Sequence, residues 1–479
     1  MNRQNFLGHL ALAMTIILVA AFAGQLRRWE RQRDYLPRAK STSTSSTPAS
    51  LSAQREMRGP EVLVRFRAGT SSQTINQLTS RLNDTVEDEI ESVAGLVAVD
   101  DLDNADPEAV ASFYRSMSDV VEYAEVNNEI KLEPEYGKFS NDSRADDESE
   151  LLAGNVPDDP MFVEQWSLSN TGQREGKAKA DINALLAWNK NTGSDEVVVA
   201  VLDSGVDYRH PDLAQNVWMR PADVAEYYDG QIGLIDDQYG YDAITDSGDP
   251  MDENGHGTHC AGIIGADGNN GIGITGINWR VKIMPLKFMS KGGFGSTKDA
   301  IEAINYVIDR KKAGVKVRII SASWGSTQRS KALEDVIRKA GEEGILFVAA
   351  SGNASSDADR YPHYPASYDL PNVISVAALN RKDELASFSN FGAKRVHIAA
   401  PGAEILSTWL NGDFREASGT SMATPEVAGV AALVLAVEPK LSMQDLRARL
   451  FKSVDKLPAL SGKVSTGGRL NAARAVGAE

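Results

Sequence analysis

Cysteine is almost missing from this chain. A single thiol, Cys260, among 479 residues excludes an intrachain disulfide framework, so stability in an oxidising compartment must come from packing or bound ions. Positive charge is also short. Fifty Lys and Arg against 66 Asp and Glu leave a net charge of −16, with no cationic surplus to displace counterions from a nucleic acid. That acidity favours solubility and names no partner. Histidine occurs only six times, which leaves few candidate bases that titrate near neutral pH. No internal repeat is present, and the length suggests two or three domains.

Among what is there, an apolar run from Leu10 to Ala21 follows Arg3 and ends in Ala21-Phe22-Ala23 before Gly24. A basic end, a core of about a dozen apolar residues and a small-x-small site describe a signal peptide over residues 1–23. An uncleaved membrane anchor is the alternative, since Phe6 to Ala23 can span and Arg27, Arg28, Arg31 and Arg33 can hold it. Either reading exports the bulk of the chain. Residues 24–59 include a Ser/Thr tract, Ser41 to Ser52, and read as a disordered linker.

Folding resumes with Glu61 to Arg67, which alternates like a half-buried strand. A helical pattern (Ile75, Leu78, Leu82), strands over Glu89–Val93 and Leu96–Val99, a helix over Pro107–Met117 and a strand over Val121–Val126 follow. This β-α-β-β-α-β order predicts a small ferredoxin-like α+β domain over residues 60–132. Residues 133–154 are polar, with Asp146-Asp147-Glu148 at their centre, and read as an exposed connector. The large domain, residues 155–479, alternates apolar strands with helices. Strands are expected over Val197–Leu202, Lys282–Phe288, Arg318–Ser321, Ile345–Ala349 and Val373–Ala377. Helices are expected over His256–Ile264, Thr297–Lys312, Lys331–Gly341, Thr420–Val437 and Ser442–Lys452. The pattern predicts an α/β domain with a mostly parallel sheet covered on both faces.

Ligands of such sheets sit beyond the carboxyl ends of the strands. Polar residues cluster there: Asp203-Ser204-Gly205, Gly255-His256-Gly257-Thr258-His259 and Gly352-Asn353. The stretch Gly419-Thr420-Ser421-Met422-Ala423-Thr424-Pro425 follows a loop expected over Asn411–Ala417 and opens a buried helix, with Pro425 expected in its first turn. Each residue has a bland reading: Asp203 as a helix cap, Asn353 as a turn, Ser421 as a cap. His256 and His259 as metal ligands are disfavoured, because their i, i+3 spacing is not the i, i+4 of metalloprotease pairs.

Asp, His and Ser in that chain order match one known arrangement of a catalytic triad. Val201–Asp207, Asn254–Gly262, Ala350–Asn353 and Ser418–Pro425 together resemble the signature segments of the subtilisin-like serine proteases (subtilases). The resemblance implies Ser421 as nucleophile, His256 as general base and acid, Asp203 as the residue that holds the imidazole, and Asn353 as an oxyanion donor. It implies a substrate chain lying between two segments that include Gly292, Gly293, Ser323, Trp324, Gly325 and Gly352. Trp324 would line an apolar subsite or simply belong to the core, and cleavage after large apolar or aromatic residues is the expectation. It also implies structural calcium held by Asp159, Asp212, Gly268, Asn270, Ile272 and Ile274, the alternative there being an ordinary glycine turn. Residues 60–132 would be an inhibitory propeptide cut within Lys131–Asn155, making an autoprocessed zymogen that acts on polypeptides. His210 and His259 read as structural, and Cys260 as a small buried residue open to mercurials. Glu426 departs from the family, which has His after Thr-Pro, and implies altered local packing. The alternatives are a catalytically silent binding protein of the same fold, a processing protease with basic specificity, and a protease-inhibitor module in the small domain.

Overall fold

The computed structural model describes residues 61–133 and 155–478. The signal peptide or anchor, the Ser/Thr linker and nearly all of the polar connector lie outside the described residues.

The small domain contains β1 (Val62–Phe66), α1 (Ser72–Arg81), β2 (Asp84–Glu89), β3 (Leu96–Asp101), α2 (Pro107–Ser116) and β4 (Val121–Val126). Its strands form an antiparallel sheet in the order β2-β3-β1-β4, the ferredoxin-like arrangement. One strand differs from expectation. β2 occupies Asp84–Glu89 and not Glu89–Val93. Ile90 and Val93 are apolar because they join a core shared with the large domain, not because they lie in the ladder.

The large domain is built on a nine-stranded sheet. Its parallel centre comprises β6 (Gly193–Asp203), β7 (Arg280–Lys287), β9 (Val317–Ala322), β10 (Leu346–Ala350), β11 (Val373–Leu379) and β12 (Ile398–Pro401). These lie in the order β12-β11-β10-β9-β6-β7. A short strand, β8 (Phe294–Ser296), stands apart and pairs with β5 (Glu129–Lys131) of the chain leaving the small domain. Strand periodicity explains the two covered faces. Along β6, Val197, Val199 and Val201 pack with α3 (His256–Gly265), α6 (Thr420–Val437) and α7 (Met443–Lys452). Val198, Ala200 and Leu202 face the opposite layer, with α4 (Thr297–Lys312) and α5 (Lys331–Glu342).

Helix α6 is apolar enough to pass for a membrane span, but it is 89% buried within the protein and serves as the core's central helix. The segment before it corrects a second expectation. Phe414–Ala417 is a strand paired with Ile405–Thr408, where a loop was expected over Asn411–Ala417. Pro425 corrects a third, since it is the sixth residue of α6 and not in its first turn.

The small domain holds the large one chiefly at helix starts. The Glu125 carboxylate accepts from the Lys331 N–H (2.8 Å), the Ala332 N–H (3.1 Å) and the Ser330 hydroxyl, at the beginning of α5. Asn127 Oδ1 accepts from Lys298 N, and the Asn128 carbonyl from Thr297 N, each at 2.9 Å, at the beginning of α4. Those N–H groups have no partner within their own helices, and a carboxylate there also meets the positive end of the helix dipole.

Candidate active site

Strand β6 ends in Asp203, wholly buried. Its Oδ1 accepts from the Ser204 N–H at 2.8 Å and lies 2.6 Å from His256 Nδ1. This leaves His256 Nε2 as the ring nitrogen that Asp203 does not engage. The imidazole is placed by the start of α3, and a residue not singled out from sequence organises that start. Asp252, buried, accepts from the N–H groups of Asn254, Gly255 and Thr258, from the Thr258 hydroxyl (2.6 Å) and from Ser204 Oγ (3.0 Å). Gly257 lets helix and strand approach, because a Cβ there would sit 2.1 Å from the Gly205 carbonyl oxygen.

Ser421 stands in the first turn of α6, buried, with its Oγ donating to the Ser323 carbonyl at 2.9 Å. Its own carbonyl would ordinarily receive an N–H from residue 425, but proline has none. The Ser323 hydroxyl supplies a bond at 2.8 Å, and Cys260 Sγ lies 3.6 Å away. The same buried thiol lies within 4.8 Å of ligand atoms of Asp203 and His256. Asn353 follows β10. Its Oδ1 accepts from the Thr420 N–H (2.8 Å) and Thr420 Oγ1 (2.9 Å), which fixes the amide so that Nδ2 faces the other way. The point where a Gly419 side chain would begin is 3.3 Å from Asn353 Nδ2 and 3.5 Å from the Ser421 nitrogen. Two donors therefore border one small space.

Two further histidines, His259 and His210, are braced. His259 Nε2 reaches the carbonyls of Ile405 (3.1 Å) and Arg415 (3.0 Å), and burial depresses its pKa to about 3. His210 Nδ1 accepts from the Asp212 N–H at 3.1 Å, so Nε2 carries the proton toward the Asp413 carbonyl. Both roles are structural. Glu426 is fully buried near the start of the core helix; burial raises its carboxyl pKa to about 8, and neither oxygen has a well-formed hydrogen bond among the described residues.

The predicted substrate segments differ in what they do. Gly293, at φ +74°, takes the Leu132 N–H on its carbonyl at 2.9 Å and leaves room for that side chain. A Cβ on Gly292 would meet the Phe294 ring at 3.0 Å and Ser290 Oγ at 3.8 Å. Trp324 is buried, donates Nε1 to the Leu202 carbonyl (2.9 Å) and shares an apolar cluster with Ile130. Gly325 and Gly352 flank the ring of His363.

A separate group surrounds the loop Gly268–Ile274. Asp159 accepts from the N–H groups of Asn269 (2.8 Å) and Asn270 (3.3 Å). Asp212 accepts from Asn270 Nδ2 (2.8 Å) and the Ile274 N–H (3.0 Å). Both carboxylates are buried, and neither is ion-paired with lysine or arginine among the described residues. Burial, with Asp159 nearby, raises the Asp212 carboxyl to about 7. Gly268 and Ile274 are in the same loop, whereas the Ile272 side chain is 40% exposed, so only its backbone could serve.

Residues 194–477 match the subtilase family, Peptidase S8. The chain belongs to the subtilase family. Thermitase of Thermoactinomyces vulgaris is 36% identical over 321 residues, covering 67% of this chain and 99% of thermitase. Subtilisin-like protease 2 of Plasmodium falciparum is 34% identical over 322 residues, but those are 66% of this chain and only 22% of that relative. This subtilase thus spans about a fifth of the length of that parasite relative and nearly the whole of thermitase. Among solved structures, a cold-adapted subtilisin-like serine proteinase overlays with TM-score 0.50 at 28% identity, covering 64% of this chain and 97% of that one. A protease of Pseudoalteromonas arctica gives 0.55 at 27% identity, covering 67% and 99%.

Proposed function

We propose that this subtilase is a serine endopeptidase made as a zymogen, with Asp203, His256 and Ser421 as its triad and Asn353 as oxyanion donor. The buried Asp203–His256 hydrogen bond of 2.6 Å is the observation that supports it most. Asp203 holds the imidazole with its proton on Nδ1, so that Nε2 can take a proton. For attack, the Ser421 hydroxyl leaves the Ser323 carbonyl and donates to His256 Nε2 as Oγ bonds to the substrate carbonyl carbon. The resulting oxyanion is received by Asn353 Nδ2 and the Ser421 N–H. His256 then protonates the leaving amine, and water resolves the acyl-enzyme by the same route in reverse.

The small domain acts as the propeptide, and its trailing strand β5 lies along β8 as an added strand, the way extended peptides bind sheet edges. Asp159, Asp212 and Asn270, with carbonyls of Gly268, Ile272 and Ile274, would hold calcium. Two buried carboxylates without a cationic partner fit a hard dication, which would stabilise the fold and take no part in the chemistry. The amino-terminal apolar run makes the protein secreted or membrane-anchored with the catalytic domain outside. Ser421→Ala in the full chain is the test. Loss of casein hydrolysis and of maturation is expected, and a variant that still performs both would end the proposal.

A further inference from the structure

The chain leaving the small domain runs through β5, with Lys131 opposite Phe294 and Ile130 opposite Gly295. It continues with the Leu132 N–H on the Gly293 carbonyl. The next residue, Glu133, turns its side chain into the protein. Glu133 Oε2 accepts from the backbone N–H of Asn353 at 2.5 Å, and Oε1 lies 3.6 Å from His363 Nε2. His363 is buried, and its Nε2 has no hydrogen-bond partner among the described residues. Its ring lies against Gly325 and Gly352. A Cβ on Gly325 would be 2.2 Å from Nε2, and one on Gly352 would be 3.1 Å from the ring carbons. The imidazole and the Asn353 N–H therefore border the pocket that the Glu133 side chain occupies.

We propose that this pocket selects a glutamate side chain on the amino side of the bond to be cut, with His363 as the specificity-determining residue. The inference rests on the endopeptidase reading above and narrows its substrate class. A buried imidazole N–H without a partner is a costly group to leave unmet, and the pocket's second polar group, the Asn353 N–H, is also a donor. A carboxylate offers acceptors to both. A glutamine amide offers one acceptor and a donor that would face a donor. An aromatic side chain would leave both unpaired, and aspartate is one methylene too short to reach both from the same backbone path. The bond after Glu133 leads into Pro134, a tertiary amide whose nitrogen carries no hydrogen. The bound tail thus presents a favoured side chain ahead of an unfavourable leaving group, as an inhibitor should.

The test uses the full chain after it has matured, with peptide anilides of sequence Ile-Lys-Leu-X, where X is Glu, Gln, Phe or Lys. The Glu peptide should exceed the others in kcat/KM by about 10- to 100-fold, the range for a hydrogen bond to a charged group. His363→Leu should lower the Glu-to-Phe ratio by tenfold or more, whereas a merely structural role would depress both peptides together. Should that variant fail to fold, the wild-type products of casein decide, since their new carboxyl ends should be mainly glutamate. Casein cleavage that depends on Ser421 but leaves Phe, Leu or Lys at those ends would overturn this inference alone. Absence of any Ser421-dependent cleavage would remove the endopeptidase reading and this inference with it.

Discussion

Ser323 and Ser421 exchange hydrogen bonds: the hydroxyl of each donates to the carbonyl of the other, at 2.8 and 2.9 Å. The exchange exists because Pro425 cannot supply the N–H that a helix would have given the Ser421 carbonyl. Strand β9 and helix α6 are thereby tied together at Ser421, the proposed nucleophile.

Ser323→Ala should accordingly cost more than a surface serine would. It leaves a buried carbonyl with only the weak Cys260 thiol nearby, a loss of about 1–3 kcal/mol. Urea unfolding of the Ser421-active and Ser323→Ala proteins measures it, and the fall in activity should appear in kcat more than in KM.

Glu426→Gln should flatten the dependence of stability on pH. In the native protein this carboxyl keeps its proton up to about pH 8, whereas the ordinary value is 4.5. Between those values the native state binds more protons than the unfolded one, so stability is greatest below the lower value and declines as pH rises toward the upper. The decline from this residue alone is at most about 5 kcal/mol. Melting curves from pH 4 to 9 should show wild type losing ground steadily against the variant.

Calcium removal should lower the melting temperature. A site held at a hundred times its dissociation constant contributes about 2.7 kcal/mol, and a chelator should abolish that. Asp212→Asn should melt like the chelated wild type and respond little to added calcium.

Glu125→Ala, made on the Ser421→Ala background so that the chain stays whole, should loosen the small domain. Three hydrogen bonds to one carboxylate at a helix start disappear, a loss of about 1.5–3 kcal/mol for charge-assisted bonds. Faster trypsin cleavage of the small domain, with little change in the large one, is the expected readout.

Much of the fold was legible because its strands are buried on both faces. Runs such as Val197–Leu202 and Ile345–Ala349 have no polar face to confuse their reading, and the polar residues ending them mark the site. The edge strand Asp84–Glu89 was missed, since Asp-Thr-Val-Glu-Asp-Glu carries little apolar signal and takes its place from pairing with β3. Pro425 was misplaced because proline prefers a first turn, while here a serine from another strand satisfies the carbonyl it strands. Asp252, Glu133 and His363 were not found either. Each is an ordinary polar residue in sequence, and its place shows only in the fold: Asp252 joins its own helix start to Ser204, and Glu133 reaches Asn353.

The contacts of Glu125, Asn127 and Asn128 with the beginnings of α4 and α5 bear on the life of the finished enzyme. If the small domain is removed in the processing proposed above, a molecule that opens has lost the template on which those two helices were seated. Its survival would then be governed by the height of the barrier to opening rather than by any equilibrium with its unfolded form.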